Sequence, residues 1–125
     1  MILGTLNDHR EAVVRLVVRG RFGRELETEV VVDTGYDGFL TLPSELIAEL
    51  ELPFRGEGTA VLADGKQVVF RIHEGIALWD GKPRRVPVDA ADTAPLLGMA
   101  LLYGHDLRIE VVEGGSVSIQ ALPLS

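Results

Sequence analysis

Short apolar stretches that alternate every second residue, each closed by a glycine-bearing turn, run through most of this chain. Period-two alternation is the mark of strands with one buried face, and it leaves little room for long helices. Val14, Leu16 and Val18 alternate with Arg15, Val17 and Arg19, and Gly20-Arg21-Phe22-Gly23 reads as a turn. Leu26, Thr28 and Val30 then alternate with Glu25, Glu27 and Glu29, giving a hairpin with a charged outer face. Thr59 to Ala63 and Gln67 to Ile72 flank Asp64-Gly65, a tight-hairpin signal, and Ile76 to Trp79 and Val86 to Val88 flank Asp80-Gly81 likewise. Leu107, Ile109 and Val111 predict another strand, turned by Glu113-Gly114-Gly115 into Val117, Ile119 and Ala121.

Helical spacing is confined to two places. Leu42 to Leu50 carries Leu46, Ile47 and Leu50 on one stripe, with Pro43 in the first turn and Pro53 blocking extension. Pro95 to Leu102 is apolar and predicts a short helix at its end. Several short strands joined by glycine-rich turns predict an all-β chain, a small closed barrel or a sandwich, with one or two short helices. The length of 125 residues fits a single domain, 1–125.

Composition narrows the chemistry. With no cysteine there is no disulfide, thiol nucleophile or zinc–cysteine site, and a reducing, cytoplasmic setting is expected. The segment Met1 to Glu11 lacks a signal-peptide pattern, and the apolar runs fall far short of the about 20 residues of a membrane span, so no membrane is expected as a partner. A formal net charge of −7 argues against nucleic acid; Lys82-Pro83-Arg84-Arg85 reads as a solvated turn. His9, His73 and His105 show no metal-ligand spacing, Ser44, Ser116 and Ser118 lack a nucleophile-elbow context, and Trp79 reads as a partly buried core residue.

The stretch with chemical content is Asp33-Thr34-Gly35. It follows the apolar Val30-Val31-Val32 and leads into Tyr36-Asp37-Gly38. A carboxylate at the end of a buried strand is costly unless something pairs with it. Thr34 supplies a short hydroxyl, and Gly35 allows a sharp turn and close backbone approach. Read alone, this is either a catalytic carboxylate or a turn-capping aspartate.

Three features then occur in order: Asp33-Thr34-Gly35 at a strand end, a glycine-tipped hairpin at Asp64-Gly65, and Leu96-Leu97-Gly98 opening a short helix. In these the chain resembles the retropepsin-like aspartic proteases, particularly the small bacterial single-domain members, over roughly residues 12 to 122. The resemblance implies the closed acid-protease barrel and a peptide or protein substrate. It matches Asp33 to the catalytic aspartate, Thr34 to the hydroxyl that braces two active-site loops across a dimer axis, and Gly35 to the glycine beside substrate. Tyr36 and Asp37 fall at substrate-facing positions, Asp64 and Gly65 at the tip of the flap, and Leu96-Leu97-Gly98 beneath the active-site loop.

Two residues depart from that pattern. Tyr36 stands where the family carries Ala or Ser, and Met99 where retroviral enzymes carry a basic residue, so Asp37 loses an expected partner. A single Asp-Thr-Gly implies a homodimer, because two carboxylates sharing a proton need a second copy. No metal or organic cofactor is expected. The C-terminal strand, Ser116 to Leu122, is expected at the dimer interface, so that deleting 116–125 would weaken dimerisation. The alternatives are a peptide-binding or dimerisation module without turnover, and a structural subunit in which Asp33 is only a turn residue.

Overall fold

A computed structural model describes residues 1–123 of the chain. The last two residues of the expected 1–125 domain lie outside the described ones. The chain is mostly β, with ten strands: β1 (Ile2–Leu6), β2 (Ala12–Arg19), β3 (Glu25–Val32), β4 (Leu40–Leu42), β5 (Phe54–Val61), β6 (Gln67–Trp79), β7 (Lys82–Ala90), β8 (Leu96–Leu97), β9 (His105–Ile109) and β10 (Ser116–Ala121). Two short helices interrupt them, α1 (Ser44–Glu49) and α2 (Met99–Leu102). Among the described residues no helix is long and apolar enough to cross a membrane.

The strands join in the order β5-β6-β7-β4-β8-β3-β2-β1-β10-β9, and β6 also pairs with β2. The pairings β2–β3–β8–β4–β7–β6–β2 therefore return to their start. Within this ring β3–β8 and β4–β7 run parallel and the rest antiparallel. Alternation along β2 predicts the burial observed: Val14, Leu16 and Val18 point into the core, as do Val30, Leu40, Leu42, Val86, Val88 and Leu97.

Four sequence expectations change on folding. Met1 to Glu11, where the residue pattern predicts no strand, contains β1, which pairs β2 on one side and β10 on the other. Gln67–Ile72 and Ile76–Trp79 are one strand, β6, whose pairing with β7 runs unbroken through the buried Gly75. Lys82 to Arg85 continues from the Asp80-Gly81 turn into β7 rather than forming a turn itself. Finally, β10 is not a free edge. It pairs both β1 and β9, and its Val117 and Ile119 are buried, so deleting 116–125 would remove part of the core whether or not a second copy packs there.

Two contacts tie distant segments. Trp79 is buried and its indole N–H donates to His105 Nε2 at 3.0 Å, while His105 Nδ1 lies 3.1 Å from the Tyr103 carbonyl. Only the neutral imidazole with its proton on Nδ1 satisfies both, since an indole N–H cannot accept. At the base of the β5–β6 hairpin, Glu74 accepts from Arg55 Nε at 2.7 Å and lies 3.1 Å from Arg85 Nε on β7.

The hydrogen bond from Arg55, reinforced by the charges of Arg55 and Arg85, holds the Glu74 carboxyl below its ordinary value of 4.5. A depressed carboxyl stabilises the fold above its unfolded value, and that contribution disappears as pH falls through the folded one. Thermal midpoints of Glu74→Gln are expected to lie below wild type at neutral pH and to converge with it below pH 4.5. A gap that persists at the acid end would contradict this assignment.

Candidate active site

Strand β3 ends in Val30-Val31-Val32 and hands the chain to Asp33 at the edge of the core. Parallel pairing fixes the handover: Val31 N–H donates to the Pro95 carbonyl and Asp33 N–H to the Leu97 carbonyl, both at 2.9 Å. The Asp33 side chain is partly exposed, and its Oδ1 accepts the Gly35 N–H at 3.0 Å. The Asp33 carbonyl accepts from Tyr36 N–H at 3.2 Å, closing a tight turn in which Thr34 and Gly35 face solvent. Gly35 has an ordinary backbone conformation, and a Cβ there would meet only Asp33 Oδ1, at 3.4 Å. The turn itself therefore does not require glycine, contrary to the expectation from sequence.

The next residues are stitched to the segment after β8. Gly98 N–H donates to the Phe39 carbonyl at 3.0 Å, Met99 N–H to the Tyr36 carbonyl at 2.8 Å, and Ala100 N–H to the Gly38 carbonyl at 3.0 Å. The approach is too close for a side chain at position 98, where a Cβ would sit 2.2 Å from the Gly38 oxygen and 2.6 Å from Tyr36 Cδ2. The Met99 side chain is partly exposed. The loop is braced here by main-chain hydrogen bonds and by the Tyr36 ring.

Tyr36 also ties the loop to β7, since its hydroxyl donates to Asp89 Oδ2 at 2.6 Å. Burial, then the hydrogen bond to Asp89, pushes the phenol well above the usual tyrosine range, with a smaller opposing effect from the Thr41 hydroxyl. Thr41 is the buried polar residue of β4 and sits opposite Asp89 in the β4–β7 ladder. Tyr36 and Asp37 line a cavity of about 320 Å³ together with Thr41, Asp89 and the inner residues of the β5–β6 hairpin, Thr59, Ala60, Val68 and Phe70. Asp33, Thr34 and Gly35 do not line it.

Asp64 and Gly65 sit at the hairpin tip, also outside that cavity. Gly65 has a φ of +84°, its N–H donates to the Leu62 carbonyl, and Asp64 Oδ1 accepts the Lys66 N–H at 2.9 Å. The Asp64 carboxylate thus caps its own turn. Sequence reasoning missed Asp89 and Thr41. The available signal was an acid placed directly after the buried Val88, the same arrangement that drew attention to Asp33 after Val32.

Gly98→Ala is expected to lower the unfolding free energy by about 1–3 kcal/mol, the usual cost of overpacking, as read by urea denaturation. Gly35→Ala is expected to change it by less than about 0.5 kcal/mol. Equal losses in the two variants would contradict the packing described here.

No family model matches the chain, and no curated protein matches it. Solved structures do. The chain is similar to EIAV protease, solved in complex with the inhibitor HBY-793, with a TM-score of 0.58, 20% identity, and coverage of 77% of this chain and 88% of that one. It is similar to a retropepsin-like aspartic protease from Rickettsia conorii, with a TM-score of 0.59, 14% identity, and coverage of 97% and 90%. The strand pairings, the placement of Asp33-Thr34-Gly35 and these likenesses agree: the chain has the fold of the retropepsin-like aspartic proteases.

Proposed function

We propose that this chain is an aspartic endopeptidase that works as a homodimer, with Asp33 of each copy meeting at a two-fold axis. The observation that carries the reading is the setting of Asp33. It is held at the end of a core strand by β8, with its carboxyl oriented by the Gly35 N–H yet still open to solvent. The likeness to EIAV protease and the Rickettsia conorii enzyme supports the same role. On this reading the strand ring is the closed acid-protease barrel, and the β5–β6 hairpin, with Asp64-Gly65 at its tip, is the flap that covers bound peptide.

Two carboxyls within hydrogen-bond reach hold one proton between them, because ionising both is unfavourable; aspartic proteases are the standard case. The ionised Asp33 takes a proton from water as the water oxygen attacks the peptide carbonyl carbon. The protonated Asp33 gives its proton to the carbonyl oxygen, forming a neutral tetrahedral diol. Return of a diol proton to one carboxylate and protonation of the amide nitrogen by the other carboxyl break the C–N bond and restore the pair. Thr34, exposed at the turn, is free to bond across the axis. The open space above Gly35 is where a substrate backbone would lie, and Tyr36 and Asp37 shape the adjoining pocket.

The Asp33→Asn protein is expected to lose at least about a thousandfold in kcat/KM while unfolding cooperatively and dimerising as wild type does. Specific activity should fall on dilution in step with the dimer fraction measured by sedimentation. Cleavage by a species shown to be monomeric would overturn the shared pair. Peptide binding without turnover by wild type would favour the binding-module reading instead.

A further inference from the structure

The cavity beside the active-site loop has a distinctive make-up. Ala60, Val68 and Phe70 from the hairpin and Ala90 from β7 give it apolar walls. Its polar end is the Asp89 carboxylate, partly buried and oriented by a 2.6 Å hydrogen bond from Tyr36. Asp37 lies at the same cavity, and none of the ion pairs among the described residues involves Asp37 or Asp89. Two basic residues of the hairpin are occupied elsewhere. Arg71 is stacked over the Phe54 ring at 4.1 Å, and Lys66 faces Asp64 at the tip.

A partly buried carboxylate beside apolar walls favours one class of side chain: a long aliphatic stem with a cationic head. A neutral apolar side chain would desolvate the carboxylate, leaving it the Tyr36 hydrogen bond but no opposite charge to offset the loss, and an acidic one would add repulsion. At about 320 Å³ the cavity is at the lower end of small-ligand sites, suited to a single side chain. Burial first, then Asp89 and to a lesser extent Asp37, push the Tyr36 phenol up, so it stays protonated as a donor. The chain's net charge of −7 also favours a cationic group on an approaching substrate.

We infer that this cavity selects a lysine or arginine side chain of the bound peptide, with Asp89 as the specificity-determining counter-ion and the Tyr36 hydroxyl as the group that positions it. This rests on the peptidase reading of the site. It also gives the Tyr36 substitution a purpose, since the ring that fills space beside Gly98 carries the hydroxyl that orients the carboxylate.

The test begins with a mixed peptide library cleaved by the wild-type protein and read by mass spectrometry. Lysine and arginine should be enriched at one position near the cut bond. For the best lysine peptide, replacement by Nε-acetyl-lysine should lower kcat/KM by on the order of tenfold or more. The comparison is a ratio within one enzyme, so general losses cancel. Asp89→Asn should bring the ratio towards one, Asp89→Lys should shift preference to a glutamate peptide, and Tyr36→Phe should reduce the ratio part of the way. If the Asp89 variants fail to fold, the wild-type and Tyr36→Phe ratios decide alone. Absence of basic enrichment, a wild-type ratio near one, or an unchanged ratio in Asp89→Asn would overturn the assignment. Should wild type cleave nothing, the peptidase reading fails. Equilibrium binding of the lysine and acetyl-lysine peptides then decides the cavity's selectivity, and equal or absent binding overturns it.

Discussion

The close crossing of residues 36–39 over Gly98 is the constraint on which the rest of the site depends. Three main-chain hydrogen bonds run between the two segments, and the gap has no room for a Cβ. Because β8 precedes Gly98 directly and pairs in parallel with β3, the same crossing sets where β3 ends and where Asp33 points. A parallel pair needs a long connection, so this contact between residues far apart in sequence forms only when the ring of strands is assembled. The Asp33 carboxyl is thus held by main-chain geometry and core packing, and its position depends little on the side chains near it.

Tyr36 shows how a large side chain is accommodated in the loop after Asp33. A large ring in so tight a loop needs space that the neighbouring residues must provide. Here the ring packs where two glycines, Gly38 and Gly98, leave space, and its polar end reaches Asp89 on β7. Tyr36 therefore ties the loop to the far side of the cavity. Met99 contributes only main-chain hydrogen bonding at this crossing, so Asp37 is left without an ion-pair partner among the described residues and faces the cavity instead.

Much of the architecture was legible in the residue pattern. The β2–β3 hairpin, the two Asp-Gly turns, α1 and the short helix after Leu97 all follow from strong local signals: alternation, turn chemistry and proline placement. What escaped was decided by neighbours. Ile2 to Leu6 is too brief and mixed to read as a strand, yet it becomes one because β2 and β10 present edges on both sides. Gly75 looks like a break in β6 but lies within the strand, buried beneath the side chains of Val88, Leu52 and Val18. Ser116 to Ala121 looked like a free edge because it lies near the chain end, but chain position carries no information about pairing order.

The site divides along the same line. Asp33, its turn and the strand that leads to it could be named from the residues themselves, because an acid after a buried apolar run and before a glycine is an unusual local arrangement. That Tyr36 would meet Asp89, that Thr41 would lie opposite it, and that hairpin residues would close the cavity could not be named. Those contacts join strands paired in parallel or across the ring, and such pairings leave no mark at short sequence separation. The alternation determined which side chains face inward; only the assembled sheet decided which of them meet.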